Sequence, residues 1–163
     1  MSLTAKAISL LIIGVILTGC ISNLMGGEGE PEDMGSLDEP PQTTYYNETF
    51  MFESVNGMGH ASAHDYNISV NNTIIVTWDI QCRFEEPLIG ERGYVNITLE
   101  SDGVVLVSEE YTSPETAFFH MDYNNSNITG ENFTLRIQSV GSDHSITGGM
   151  EDYYIVETAI NYW

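Results

Sequence analysis

Thr73 to Glu85 reads TIIVTWDIQCRFE. Ile74, Val76, Trp78, Ile80, Cys82 and Phe84 alternate with Ile75, Thr77, Asp79, Gln81, Arg83 and Glu85. Period two is the side-chain repeat of a β-strand, so one face of this segment is apolar and the other almost wholly polar. Such a strand lays its apolar face on a core and turns the other to water.

The same alternation recurs outward from this point. Val95, Ile97 and Leu99 alternate with Tyr94, Asn96, Thr98 and Glu100, and Phe133, Leu135 and Ile137 with Thr134, Arg136 and Gln138. Asp102-Gly103 is a tight-turn dipeptide, and it joins Tyr94–Ser101 to Val104–Tyr111 as a hairpin. Weaker strands are expected at Glu48–Val55, Tyr66–Val70, Thr116–Met121 and Tyr153–Tyr162. The last is apolar on both faces, which suits a central strand or a C-terminal strand with a covered outer side. No segment after residue 20 keeps a 3.6-residue period. About eight strands with short turns predict an all-β domain over residues 45–163. It is an antiparallel β-sandwich, immunoglobulin-like or jelly-roll. The strand order is not legible.

The 163 residues suffice for one domain with a core of its own. Twenty-four acids stand against four bases, a formal charge of −20. Lys6, Arg83, Arg92 and Arg136 are the four bases, too few to form the patch that phosphate binding requires. Nucleic acid is therefore not an expected partner.

Met1 to Lys6 and the apolar run Ala7–Gly19 have the form of a secretory signal peptide, residues 1–19. The run is shorter than the roughly 20 residues that span a bilayer. It ends at Leu17-Thr18-Gly19-Cys20. This resembles the lipobox of prokaryotic lipoproteins, in the order aliphatic, small, Gly or Ala, Cys. The resemblance covers the first 20 residues. It implies a diacylglyceryl group on the Cys20 thiol, cleavage before that residue and attachment to the outer face of the cell membrane. An ordinary secretory signal and an uncleaved anchor are the alternatives. Residues 20–44 hold Pro31, Pro40 and Pro41 with Glu28, Glu30, Glu32, Asp33, Asp38 and Glu39. That composition predicts a disordered, self-repelling tether.

N-x-[Ser/Thr] occurs at Asn47, Asn67, Asn71, Asn96, Asn124, Asn127 and Asn132, more often than the composition yields by chance. Sequons are surface features of exported chains. Together with a lipobox they point to an archaeal surface protein. With Cys20 lipidated, Cys82 is expected to be a free, buried thiol on the apolar face of its strand.

The densest gathering of chemistry-bearing side chains is Met58 to Asp65. Its candidate metal ligands are His60, His64 and Asp65. Asp143, Glu151 and Asp152 around Gly148-Gly149 are a second, calcium-type candidate. The chain has no GxSxG elbow, HExxH, P-loop or GxGxxG, and no cofactor is implied. Tyr45, Tyr46, Tyr94, Tyr162 and Trp163 could form an aromatic contact patch. The expected function is non-enzymatic: a structural or binding role at the envelope, with a membrane contact through Cys20 and an envelope protein or glycan as partner. The alternative is an accessory metal- or solute-binding module for a membrane partner, and an extracellular hydrolase stands third.

Overall fold

In the computed structural model, which describes residues 40–88 and 90–163, each alternating segment of the sequence forms a strand over most of its length. The strands are β1 (Gln42–Met51), β2 (Met58–Val70), β3 (Ile74–Arg83), β4 (Tyr94–Ser101), β5 (Val104–Tyr111), β6 (Ala117–Asn125), β7 (Gly130–Gly141) and β8 (Tyr153–Tyr162). One short 3-10 turn, Ser145–Thr147, interrupts the loop before β8. No helix among the described residues is long and apolar enough to cross a membrane. Cys20, the expected signal peptide and the expected tether up to residue 39 lie outside the described residues.

The strands form two four-stranded antiparallel sheets. Sheet A has the order β1-β8-β3-β6 and sheet B the order β2-β7-β4-β5. Four of the pairings are β1 with β8, β2 with β7, β3 with β6 and β4 with β5. The two strand numbers of each pair therefore add to nine. One long antiparallel hairpin, rolled so that successive pairs fall in alternate sheets, produces that order. It is a jelly roll, and it differs from the strand order of an immunoglobulin sandwich.

Alternation supplies the core. Ile74, Val76, Trp78, Ile80 and Cys82 of β3 meet Val95, Ile97 and Leu99 of β4 and Phe133, Leu135 and Ile137 of β7, all essentially without exposure. Trp78 also hydrogen-bonds from Nε1 to the Tyr111 hydroxyl at 2.7 Å, so its one polar atom is satisfied inside the sandwich. Tyr153–Tyr162 is central, between β1 and β3, which accounts for its apolar residues on both faces.

Three elements differ most from the sequence reading, among them β6, which runs on to Asn125 past the expected Met121. β1 starts at Gln42, taking residues 42–44 from the expected tether, and ends at Met51. Gln42, Thr43 and Thr44 extend because Tyr162, Asn161 and Ile160 of β8 offer them a ladder. β2 starts at Met58, eight residues before the expected Tyr66. Its polar first half is held by pairing with Arg136–Gly141 of β7. Distant partners override weak local patterns in β1 and β2 alike.

The Asp102-Gly103 turn has φ of 49° and 80°, the left-handed pair that a two-residue hairpin needs. Asn132 braces it, accepting from the Asp102 amide at its carbonyl (2.9 Å) and donating from Nδ2 to Asp102 Oδ1 (3.0 Å). A Cβ at position 103 would meet nothing within 4 Å, so only the backbone resists one. Gly103→Ala is expected to cost about 1 kcal/mol, read as a lower urea midpoint at unchanged m-value.

Candidate functional site

The strand pattern decides the fate of the Met58–Asp65 cluster. Inward residues of β2 are Met58, His60, Ser62, His64 and Tyr66, whereas Asp65 faces outward. The His60, His64 and Asp65 ligand set is therefore corrected. Period two places Asp65 on the opposite face, where it accepts from Thr134 Oγ1 at 2.7 Å. The two histidines share a face, as residues four apart do in a strand as well as in a helix. They lie about 13 Å apart along the strand at about 3.3 Å per residue. Among the described residues no three His, Cys, Asp or Glu side chains are grouped to hold a metal ion.

The histidines instead belong to the seam between the sheets. β1 presents Tyr46, Glu48 and Phe50, and β2 presents His64, Ser62 and His60 against them. Tyr46 stacks on His64 with ring centroids 4.6 Å apart, and Phe50 stacks on His60 at 3.8 Å. Between the stacks lies the Glu48 carboxylate. It accepts from the Tyr46 hydroxyl at 2.6 Å and from the hydroxyls of Ser62 and Tyr154, and His60 Nε2 is 3.4 Å away. Burial by itself would raise the Glu48 pKa. The donors from Ser62, Tyr154 and Tyr46, with His60 nearby, outweigh burial and hold it below the ordinary carboxylate range. Burial, then Glu48, pushes the Tyr46 and Tyr154 hydroxyls up. With its lone pairs committed to these donors, Glu48 is a strut between sheets and not a base poised for proton transfer.

Three buried hydroxyls on the same inner faces, those of Tyr66, Ser139 and Thr158, have no hydrogen-bond partner among the described residues. The contrast with Glu48 gives two expectations. A carboxyl whose pKa is depressed by folding contributes stability that is present above its unfolded pKa and is lost as pH falls through the folded one. Glu48→Gln is thus expected to lower stability by about 1–2 kcal/mol at neutral pH, with the gap closing as pH drops below the carboxylate range in pH-resolved denaturant melts. Thr158→Val, which removes a buried hydroxyl lacking a partner, is expected to raise stability by about 1 kcal/mol in the same melts.

The calcium-type candidate is also differently used. Asp152 is 1% exposed. It accepts from the amides of Glu85 at 2.7 Å and Ser142 at 2.9 Å, with His144 Nε2 at 3.3 Å. Asp143 takes the Ser145 amide at 2.8 Å, and Glu85 takes that of Met150 at 3.0 Å. Arg83 donates to the Glu151 carbonyl at 2.6 Å and lies over the Tyr153 ring. These acids satisfy loop amides that would otherwise be orphaned. Their role is to fix the β7–β8 loop against the β3–β4 loop.

The Cys82 thiol is free and buried. Burial raises its pKa to about 11, which suppresses the thiolate that reactivity requires. Of the aromatic-patch residues, Tyr45 is well exposed, whereas Tyr46 and Tyr162 pack against the core and Tyr94 is half-buried.

None of the seven sequon asparagines is buried, and six are exposed. Where Asn and hydroxyl lie two apart in a strand they share the outer face, as in Asn96, whose Oδ1 accepts from Thr98 Oγ1 at 3.0 Å. Their distribution is uneven. β1 enters the sandwich at the end formed by the β2–β3, β4–β5 and β6–β7 connections, and Asn67, Asn71, Asn124, Asn127 and Asn132 cluster there. Asn47 and Asn96 lie on the outer sheet faces. The four connections at the other end, residues 52–57, 84–93, 112–116 and 142–152, contain no sequon.

Among the described residues, two concavities open to solvent stand out. One, of about 390 Å³, lies on the outer face of sheet A between Ile155, Gln81 and Phe118, with Glu157, Asp79 and His120 alongside. His120 bridges Asp79 at 2.7 Å and Asp122 at 3.2 Å. Those two hydrogen bonds, Asp79 first, raise its pKa. The other, of about 570 Å³, lies among the sequon-free loops. Sequence reasoning did not find either, because each is assembled from strands or loops distant in the chain.

No protein-family model matches the chain, and no curated protein does. Solved structures similar to it in fold include that of the infectious bursal disease virus Gt strain, at 11% identity and a TM-score of 0.45, covering 76% of this chain and 32% of that one. The VP2 subviral particle of the same virus is similar at 8% identity and a TM-score of 0.41, over 76% and 33% of the two chains. Latent PorU from Porphyromonas gingivalis is similar at 12% identity and a TM-score of 0.33, over 72% and 13%. The chain thus spans about a third of the length of the viral chains, and the likeness is one of fold alone.

Proposed function

We propose that the chain is a lipid-anchored protein of the outer cell surface, glycosylated on its β-sandwich, whose role there is structural or binding. The observation that carries this reading is the placement of the sequons. All seven lie outside the core, and five surround the end at which β1 enters. Glycans at that end would be accommodated without disturbing the core. The lipobox resemblance at Leu17–Cys20 supplies the anchor. The 21 residues from Ile21 to Pro41 reach at most about 70 Å when fully extended, enough to hold the sandwich clear of headgroups that its negative charge would avoid.

Intact-mass and glycopeptide analysis of protein from its native source tests both parts. The expected result is a chain beginning at Cys20 with a diacylglyceryl mass on that residue, and glycan masses on sequon peptides of the β1-entry end. Cys20→Ser is expected to move the protein from the membrane fraction to the medium or to stall processing. A wild-type chain without lipid mass would sink the anchor, and unmodified sequons throughout would sink the glycoprotein.

A further inference from the structure

The end of the sandwich opposite the entry of β1 has its own character. β1 carries the chain about 30 Å at about 3.3 Å per residue, from the sequon-bearing end to this tip. The tip is sequon-free, and it is where exposed apolar side chains concentrate. Val55, Leu88, Val140, Ile146 and Met150 are all exposed there, Leu88 at 87% and Ile146 at 79%. Val55, Leu88, Val140 and Ile146 line the 570 Å³ groove, together with Pro87 and the polar rim of Asn56, Asp143 and Glu91. Isolated exposed apolar residues are ordinary, but a contiguous set around a concavity with a polar rim marks an interaction surface.

The loops around the groove are also tied to one another. Asp152 ties the β3–β4 loop to the β7–β8 loop through the Glu85 and Ser142 amides. The Asp143 amide donates to the Ser54 carbonyl at 2.9 Å, which joins the β1–β2 loop to the same frame. A preformed site loses little freedom on binding.

Charge selects the occupant. The tip loops hold Glu53, Glu85, Glu86, Glu91, Glu115, Asp143, Glu151 and Asp152 against Arg92. Arg92 is paired with Glu86, and Arg83 at the end of β3 is engaged by Met150 and the Glu151 carbonyl. Glu91 and Asp143 on the rim pair with no arginine among the described residues. A second copy would bring the same acids against these, and like charges across an interface are unfavourable. We infer that the tip groove docks a segment of another protein that inserts an apolar side chain and flanks it with lysine or arginine. This deepens the proposed surface role and rests on it only for where the partner is met. The lipid mass on Cys20 tests that role separately, so either result can fail alone.

The test uses the full chain and three short synthetic peptides: alternating leucine and lysine, alternating leucine and glutamate, and alternating serine and lysine. Binding is followed by titration and by amide chemical-shift mapping. The leucine–lysine peptide is expected to bind saturably, to shift Val55, Gly57, Leu88 and Ile146, and to weaken as ionic strength rises. Each control is expected to bind weaker by about tenfold or more, as is the leucine–lysine peptide to Leu88→Ser or Ile146→Ser. Both side chains are exposed, so the variants should keep the wild-type circular dichroism spectrum. Equal binding of the serine–lysine peptide would reduce the tip to a diffuse acidic surface and overturn the proposal. So would equal binding of the leucine–glutamate peptide, a shift map centred on Phe118 and Gln81, or no binding at all. Concentration-dependent dimerisation that protects the groove would assign it to a second copy instead, and would equally overturn it.

Discussion

Sheet A exists because β8 inserts between β1 and β3. Without β8, the first strand has no ladder partner and β3 has one. The pairing of Gln42 with Tyr162 joins residues 120 positions apart, so most of the chain must be ordered before this contact contributes. The nested pairing offers a route to it. β4 and β5 close locally through Asp102-Gly103, and β3 with β6, β2 with β7 and β1 with β8 then enclose successively longer loops. Each pair shortens the effective loop that the next must close. A topology rich in such non-local contacts is expected to fold slowly for its size.

Polar groups inside the sandwich follow one rule at two sites. Glu48 and Asp152 are both acids that the fold encloses, and each is surrounded by donors: hydroxyls for the first, backbone amides for the second. Enclosing a carboxylate is costly unless its oxygens are satisfied, and removing donors one at a time leaves a charge in a poor solvent. Glu48 therefore fixes the register of β1 over β2 across the layers. Asp152 fixes the loops at the tip. With 24 acids in the chain, the structure uses a few as internal fasteners and leaves the rest to the solvent.

The fold was legible where one strand carries its own signal. The alternation of Thr73–Glu85, the Asp-Gly hairpin and the two-sided apolar character of Tyr153–Tyr162 are all local properties, and each is in place. The strand order was not legible, because pairing partners are remote and many alternations fit one another equally well. The polar half of β2 failed for the same reason: Met58–Asp65 is a strand because β7 lies beside it. The Glu48 seam could be read only after β1 was laid over β2, when Tyr46, Glu48 and Phe50 come to face His64, Ser62 and His60. Asp152 was indistinguishable in sequence from its neighbour Glu151, since nothing local separates an enclosed acid from a solvated one.

Cys82 has a use that its chemistry alone would not suggest. Its side chain lies on the inner face of β3, in the core between the two sheets, and its thiol is held protonated by burial. A maleimide or a small disulfide reagent can reach it only when the two sheets part beside β3 or the whole sandwich opens. The rate at which Cys82 is alkylated in the native protein is therefore a stopwatch on that opening. It would report how often the jelly roll unlocks, without a denaturant or a change to the sequence.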